Sequence, residues 1–101
     1  MMCICMMLLL ACRNGPDTSH VEKDLLHLEA KIPLPEVSGR IDHLAYDTAG
    51  HRLFIAALGN NTVEVVDMTT RRRQHSITGL REPQGVQYLA SIDRLVVAEL
   101  P

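Results

Sequence analysis

Tryptophan is absent from this 101-residue chain, which holds one phenylalanine and two tyrosines. Nucleic-acid binding by base stacking therefore has little to work with, because stacked bases need aromatic platforms. Neither sign of charge dominates: ten basic against twelve acidic side chains leave a net charge of −2, which argues against a body built to bind polyanions. Cysteine is confined to Cys3, Cys5 and Cys12, so the rest of the chain has no disulfide framework and no thiolate metal site. No apolar run approaches the roughly 20 residues of a membrane-spanning helix. Phosphate loops, dinucleotide fingerprints, nucleophile elbows and paired-cysteine zinc patterns are all missing. What is present is a core built from Leu, Val, Ile and Ala, in a chain long enough for one small domain at most.

The opening MMCICMMLLLAC is almost wholly apolar and reads as a targeting segment over residues 1–12. Leu9-Leu10-Ala11-Cys12 looks like a bacterial lipobox, with Cys12 as the lipidated residue. No Lys or Arg precedes Cys12, whereas signal peptides carry a positive n-region. The alternative is a misassigned start or an incomplete N-terminus. Cys3 and Cys5 form a C-x-C pair without partner ligands nearby, and they read as filler. Residues 13–25 read as a linker, because the charged, Gly/Pro-containing RNGPDTSH follows the apolar run directly. The expectation is export to the periplasm or cell envelope on a lipid anchor, with secretion as the alternative. The anchor is then the only membrane contact.

From residue 26 strand signals dominate. Residues 52–58 are apolar on both faces and predict a strand buried on both sides; residues 62–67 alternate only partly and predict a less buried one. Gly59-Asn60-Asn61 between them has hairpin-turn chemistry, and Asp47-Thr48-Ala49-Gly50 marks another turn. Further strands are expected over 44–46, 74–77, 86–89 and 94–98. Upstream, Ser19 with Glu22 resembles a capping box. Against that, Leu26, Leu28, Ala30 and Ile32 alternate with polar neighbours, and the reading is a strand over 26–32 ending at Pro33-Leu34-Pro35.

A gapless shift of 42 residues lays IDHLAYDTAGHRLFIAAL, residues 41–58, on PQGVQYLASIDRLVVAEL, residues 83–100. Tyr46 meets Tyr88, Arg52 meets Arg94, Leu53 meets Leu95, Ala56 meets Ala98 and Leu58 meets Leu100. Five identities in eighteen positions compare with roughly one by chance, and a period near 40 is that of a four-stranded propeller blade.

RLFIAALGNNTVEVVDMTT, residues 52–70, resembles the YVTN-type β-propeller repeat, in which an apolar strand, an Asn-containing turn and a second strand ending in Asp recur. Phe54, Ile55, Ala56 and Ala57 stand at the positions of the four letters that name the motif. Ile41-Asp42-His43 and the phrase from Leu80 to Val86 resemble the openings of consecutive blades. The resemblance covers roughly residues 26–101 and implies an all-β fold: an incomplete β-propeller of about one and a half four-stranded antiparallel blades. Propellers close with about 4 to 8 blades, so the expectation is the front end of a longer protein whose remaining blades are the main partner. A homo-oligomer of fragments is the lesser alternative. The strand over 26–32 would then complete the last blade.

Propeller ligands sit at the mouth of the central channel. The residues leading into the inner strands are Arg40, Asp42 and His43, with Gln84 one period later, and these are the candidate ligand-binding residues. Asp42 and His43 could serve as acid, base or ligand, but adjacent strand residues point to opposite faces, so at most one is expected to face a channel. His20, His27, His51 and His75 show no metal-site spacing and read as solvent-exposed. Arg71-Arg72-Arg73 is the one basic run; it could touch phosphate or acidic lipid, and it reads as a solvated turn that discourages edge pairing. No catalytic residue and no metal site is assigned, and the cofactor is unknown. The expected role is binding or scaffolding in the cell envelope, toward a small molecule or a protein and not toward nucleic acid. The alternative is a fragment of a propeller enzyme, such as a lactone hydrolase or a quinoprotein or haem-type oxidoreductase subunit.

Overall fold

The computed structural model describes residues 25–101. The targeting segment, Cys3, Cys5, Cys12, Ser19, His20, Glu22 and the linker up to residue 24 lie outside the described residues. The fold is all-β. Strands β1 (Leu44–Asp47), β2 (Arg52–Ala57), β3 (Thr62–Asp67) and β4 (Arg72–Ile77) form one antiparallel sheet in chain order, and β5 (Gly85–Leu89) with β6 (Arg94–Ala98) forms a second.

The tight connections share one design. Residues 48–51, 58–61, 68–71 and 90–93 are four-residue loops whose last member, His51, Asn61, Arg71 or Asp93, adopts φ between 48° and 57°. A four-residue hairpin loop needs this left-handed step to bring the chain back in register, and His, Asn and Asp take it most readily among residues with side chains. Asn61 thus serves as the turn chemistry foretold. Gly59 has a different duty: a Cβ there would fall 2.5 Å from the Arg40 nitrogen and 2.8 Å from the Gly39 Cα, so glycine lets the two backbones touch.

The register of the first hairpin, Leu44 opposite Ile55 and Tyr46 opposite Leu53, recurs 42 residues later as Val86 opposite Val97 and Tyr88 opposite Leu95. The sheets pack face to face. Phe54, Val63 and Val65 form the buried centre, against which Ala45, Ile77, Leu80, Val86, Tyr88, Leu95 and Val97 pack. Side chains alternate across a strand, so Leu44, Tyr46, Leu53 and Ile55 lie on the face turned away from the second sheet. Leu44 and Tyr46 are about half exposed there, at 54 % and 48 %.

Two expectations are corrected. Residues 26–32 form no strand: Leu25, Leu26 and Leu28 are exposed and no ladder pairs with them. Alternation specifies a strand only where a ladder forms, and this segment makes side-chain contacts near the β4 edge, such as Glu29 with Arg71, without pairing its backbone to it. Strand β3 is not the less buried of the central pair. Thr62, Val63, Glu64, Val65 and Val66 are all buried, whereas Arg52 and Leu53 of β2 are half-buried. β3 lies between two strands, and the carboxylate of Glu64 finds its partners inside the protein.

Candidate binding site at the seam between the sheets

The lead-in to β1 departs from regular pairing. Asp42 donates its backbone N–H to the Ala56 carbonyl (2.9 Å), and Ala56 donates to the His43 carbonyl (2.9 Å), so Asp42 and His43 both oppose Ala56. This bulge turns the His43 N–H out of its own sheet and onto the Gln84 carbonyl of the second, at 3.3 Å. Gln84 in turn donates to the Ala98 carbonyl (2.8 Å), which is the Asp42–Ala56 bond moved by 42 positions.

The four residues singled out from the sequence are brought together here. Asp42 Oδ1 lies 3.4 Å from Arg40 Nη2 and 3.4 Å from His43 Nδ1, and His43 Nδ1 lies 3.1 Å from the Gln84 carbonyl oxygen. Asp42 and His43 therefore act on the same side of the chain. The rule of opposite faces fails because the bulge adds a residue and resets the alternation. Gln84 contributes its backbone carbonyl, while its side chain is exposed. A carbonyl only accepts, so the neutral His43 ring carries its proton on Nδ1 and leaves Nε2 as a bare acceptor. Arg40 and His43 are 69 % exposed and Asp42 is 18 % exposed. The arrangement offers a guanidinium and an oriented imidazole at an open seam, held by a half-buried carboxylate.

Two further polar clusters were not singled out from the sequence. Arg52 reaches from the first sheet into the seam, donating through Nε to Asp47 Oδ2 (2.8 Å) and through Nη2 to Tyr88 Oη (3.2 Å) and Asp93 Oδ1 (3.0 Å). Its guanidinium carbon stands 5.4 Å from the centroids of both Phe54 and Tyr88, which also stack on each other. The Gly50 N–H, followed by Arg52, holds the Asp47 carboxyl below the usual carboxylate range against the opposing effect of burial. The Tyr88 hydroxyl, donating to Asp93 at 2.7 Å, and then Arg52 do the same for Asp93, and that bond pushes the Tyr88 phenol up. Every charge here is engaged by another protein group, so the cluster ties the sheets together rather than offering a reactive group. Arg52 and Tyr88 did appear in the sequence, but as members of matched pairs whose mates are Arg94 and Tyr46.

Glu64 is the second cluster. Wholly buried, it accepts from the Thr62 hydroxyl (2.6 Å) and the Ser76 hydroxyl (2.8 Å) at Oε1, and Arg73 Nη1 lies 3.5 Å from Oε2. Arg73 also donates to the Pro35 carbonyl (2.6 Å), and the Ser38 N–H donates to Asn60 Oδ1 (3.2 Å), which fastens the stretch before β1 to the sheet. An acid between two valines in TVEVVD was the only available signal.

Among the described residues no three His, Cys, Asp or Glu side chains gather as a metal site, and no helix is long and apolar enough to cross a membrane. No protein-family model matches the chain, and no curated protein matches it either.

Proposed function

We propose that this chain is a stacking unit of the β-propeller type, exported to the cell envelope, that binds or scaffolds a small-molecule or protein ligand at the seam formed by Arg40, Asp42, His43 and Gln84. One observation carries the reading. The face by which the second sheet docks, Val86, Tyr88, Leu95 and Val97, corresponds by the 42-residue shift to Leu44, Tyr46, Leu53 and Ile55, which point away from the seam on the first sheet. Each sheet thus has a docking face and a receiving face, the arrangement that lets like sheets follow one another around an axis. Further sheets of the same kind, on a longer chain, are the partners this implies. The test is to extend the chain by successive copies of residues 41–82 and follow the urea midpoint. Nearest-neighbour stacking raises the midpoint with each added unit, whereas an unchanged or falling midpoint removes the reading.

A fragment of a propeller enzyme is the second reading, and the bare, oriented Nε2 of His43 is what favours it. Metal analysis and an absorption spectrum of the extended chain separate the two: a bound metal or chromophore selects the enzyme.

A further inference from the structure

The geometry points to a second surface, a membrane-contact patch for anionic lipid headgroups formed by Arg71 and Arg72 together with Leu25, Leu26 and Leu28. Arg71 and Arg72 are exposed. Arg71, Arg72 and Arg73 line an open groove with Pro33 and Pro35, and Arg71 Nη2 lies 3.9 Å from Glu29 Oε2. Glu29, which Arg71 meets, follows Leu28 directly in the chain, with Leu25 and Leu26 close before it. Leu25, Leu26 and Leu28 are 73 %, 86 % and 73 % exposed, within four consecutive residues. Apolar side chains beside cations suit the headgroup boundary, where the charge meets lipid phosphate and the leucines meet acyl chain.

Arg71 holds the left-handed position of its loop, which His51, Asn61 and Asp93 fill elsewhere. Acidic neighbours offset only part of the charge. Glu29 faces Arg71, Glu64 is wholly internal beside Arg73, and Asp67, opposite Arg72 in the ladder, is turned to the N–H groups of Thr69 and Thr70.

The inference rests in part on the exported, acylated reading. The diacyl group expected at a lipobox cysteine supplies the anchor, and the basic patch adds an electrostatic contact with the same membrane. Residues 13–25 span at most about 45 Å, which keeps the patch within reach of a membrane that holds Cys12.

The experiment uses the full chain as Cys12→Ser, so that no acyl group contributes, in co-sedimentation with vesicles of phosphatidylcholine alone or with one third phosphatidylglycerol. Binding is expected to the anionic vesicles and to fall with added salt. Arg71→Asn with Arg72→Gln weakens it about 25-fold, and Glu29→Gln strengthens it about fivefold, at about fivefold per exposed cation. Leu26→Ser with Leu28→Ser weakens it about tenfold or more. Circular dichroism establishes that each variant is folded; Glu29→Gln, which gains binding, keeps the test decisive if the arginine variant unfolds. Equal binding to both vesicles, no response to Glu29→Gln, or displacement by millimolar inorganic phosphate overturns the assignment, the last by making the groove a free-anion site. Acylation is read separately, by mass spectrometry at Cys12 of the native chain. An unacylated native chain whose Cys12→Ser form still binds keeps the patch and discards the anchor; an acylated chain whose Cys12→Ser form ignores vesicles does the reverse.

Discussion

Replacing Glu64 by alanine tests whether the buried carboxylate organises the first sheet. Two hydroxyls donate to it at 2.6 and 2.8 Å, and a hydrogen bond to a charged group contributes about 1.5–3 kcal/mol. Both hydroxyls can rotate toward other acceptors, so their loss falls short of the full sum. Breaking a fully buried ion pair costs about 3–5 kcal/mol. The Arg73 side chain is 26 % exposed, its contact is long at 3.5 Å, and it keeps the Pro35 carbonyl, so the pair itself contributes about 1 kcal/mol or less. Taken together, Glu64→Ala destabilises the fold by about 3 kcal/mol, and Glu64→Gln, which keeps an acceptor oxygen, by about 1–2 kcal/mol. Urea unfolding followed by circular dichroism reads both from the midpoint. Arg73→Met alone and with Glu64→Ala closes a double-mutant cycle, with an expected coupling near 1 kcal/mol. A loss under about 0.5 kcal/mol for Glu64→Ala would place it with ordinary surface changes and refute the reasoning.

Acid should loosen the seam first. The carboxyls of Asp47 and Asp93, which hold Arg52 in the seam, are kept below their ordinary value of 3.8, so their stabilisation is complete above about pH 4 and is lost as pH falls through the folded values; Asp93→Asn flattens that part of the stability-against-pH curve. Tyr88 is raised above 10, so its contribution is full below pH 10 and fades as the phenol ionises at higher pH, a transition that Tyr88→Phe removes from an alkaline titration. Gly59→Ala, whose Cβ would meet the Arg40 nitrogen at 2.5 Å, lowers stability by about 1–3 kcal/mol, and an unchanged melting temperature would show that the two backbones yield. Ring nitrogen-15 shifts of the neutral form of His43 should report a protonated Nδ1 and a bare Nε2, and the opposite tautomer would show that the Gln84 carbonyl does not orient the ring.

The strand plan was legible because β2, β3, β5 and β6 pair apolar runs with turn residues at short intervals. Thr62–Asp67 and Arg94–Ala98 begin and end where the sequence places them. Residues 26–32 misled because alternation describes a face without saying whether an edge awaits it. The seam residues could be located as the lead-in to the inner strands, yet the closeness of Asp42 to His43 could not, since a bulge is a property of the ladder and neither residue type announces one. Glu64 was hidden for a related reason. An acid between valines in an apolar strand reads as the solvent side, and only the arrival of Ser76 and Arg73 from β4 makes an interior position tolerable. The Arg52 cluster lies between these cases: the matched Arg and Tyr were visible, but Asp47 looked like turn chemistry and nothing singled out Asp93.

The amide of His43 lies just ahead of β1, a strand bonded within its own sheet, yet its acceptor lies across the gap. Deuterium uptake at that one nitrogen would therefore clock parting of the two layers, while the amides of β2 and β3 clock melting of the first layer itself. A slow amide at position 43 would mean the layers behave as one cooperative body, and a fast one beside protected neighbours would mean they breathe apart while each stays intact.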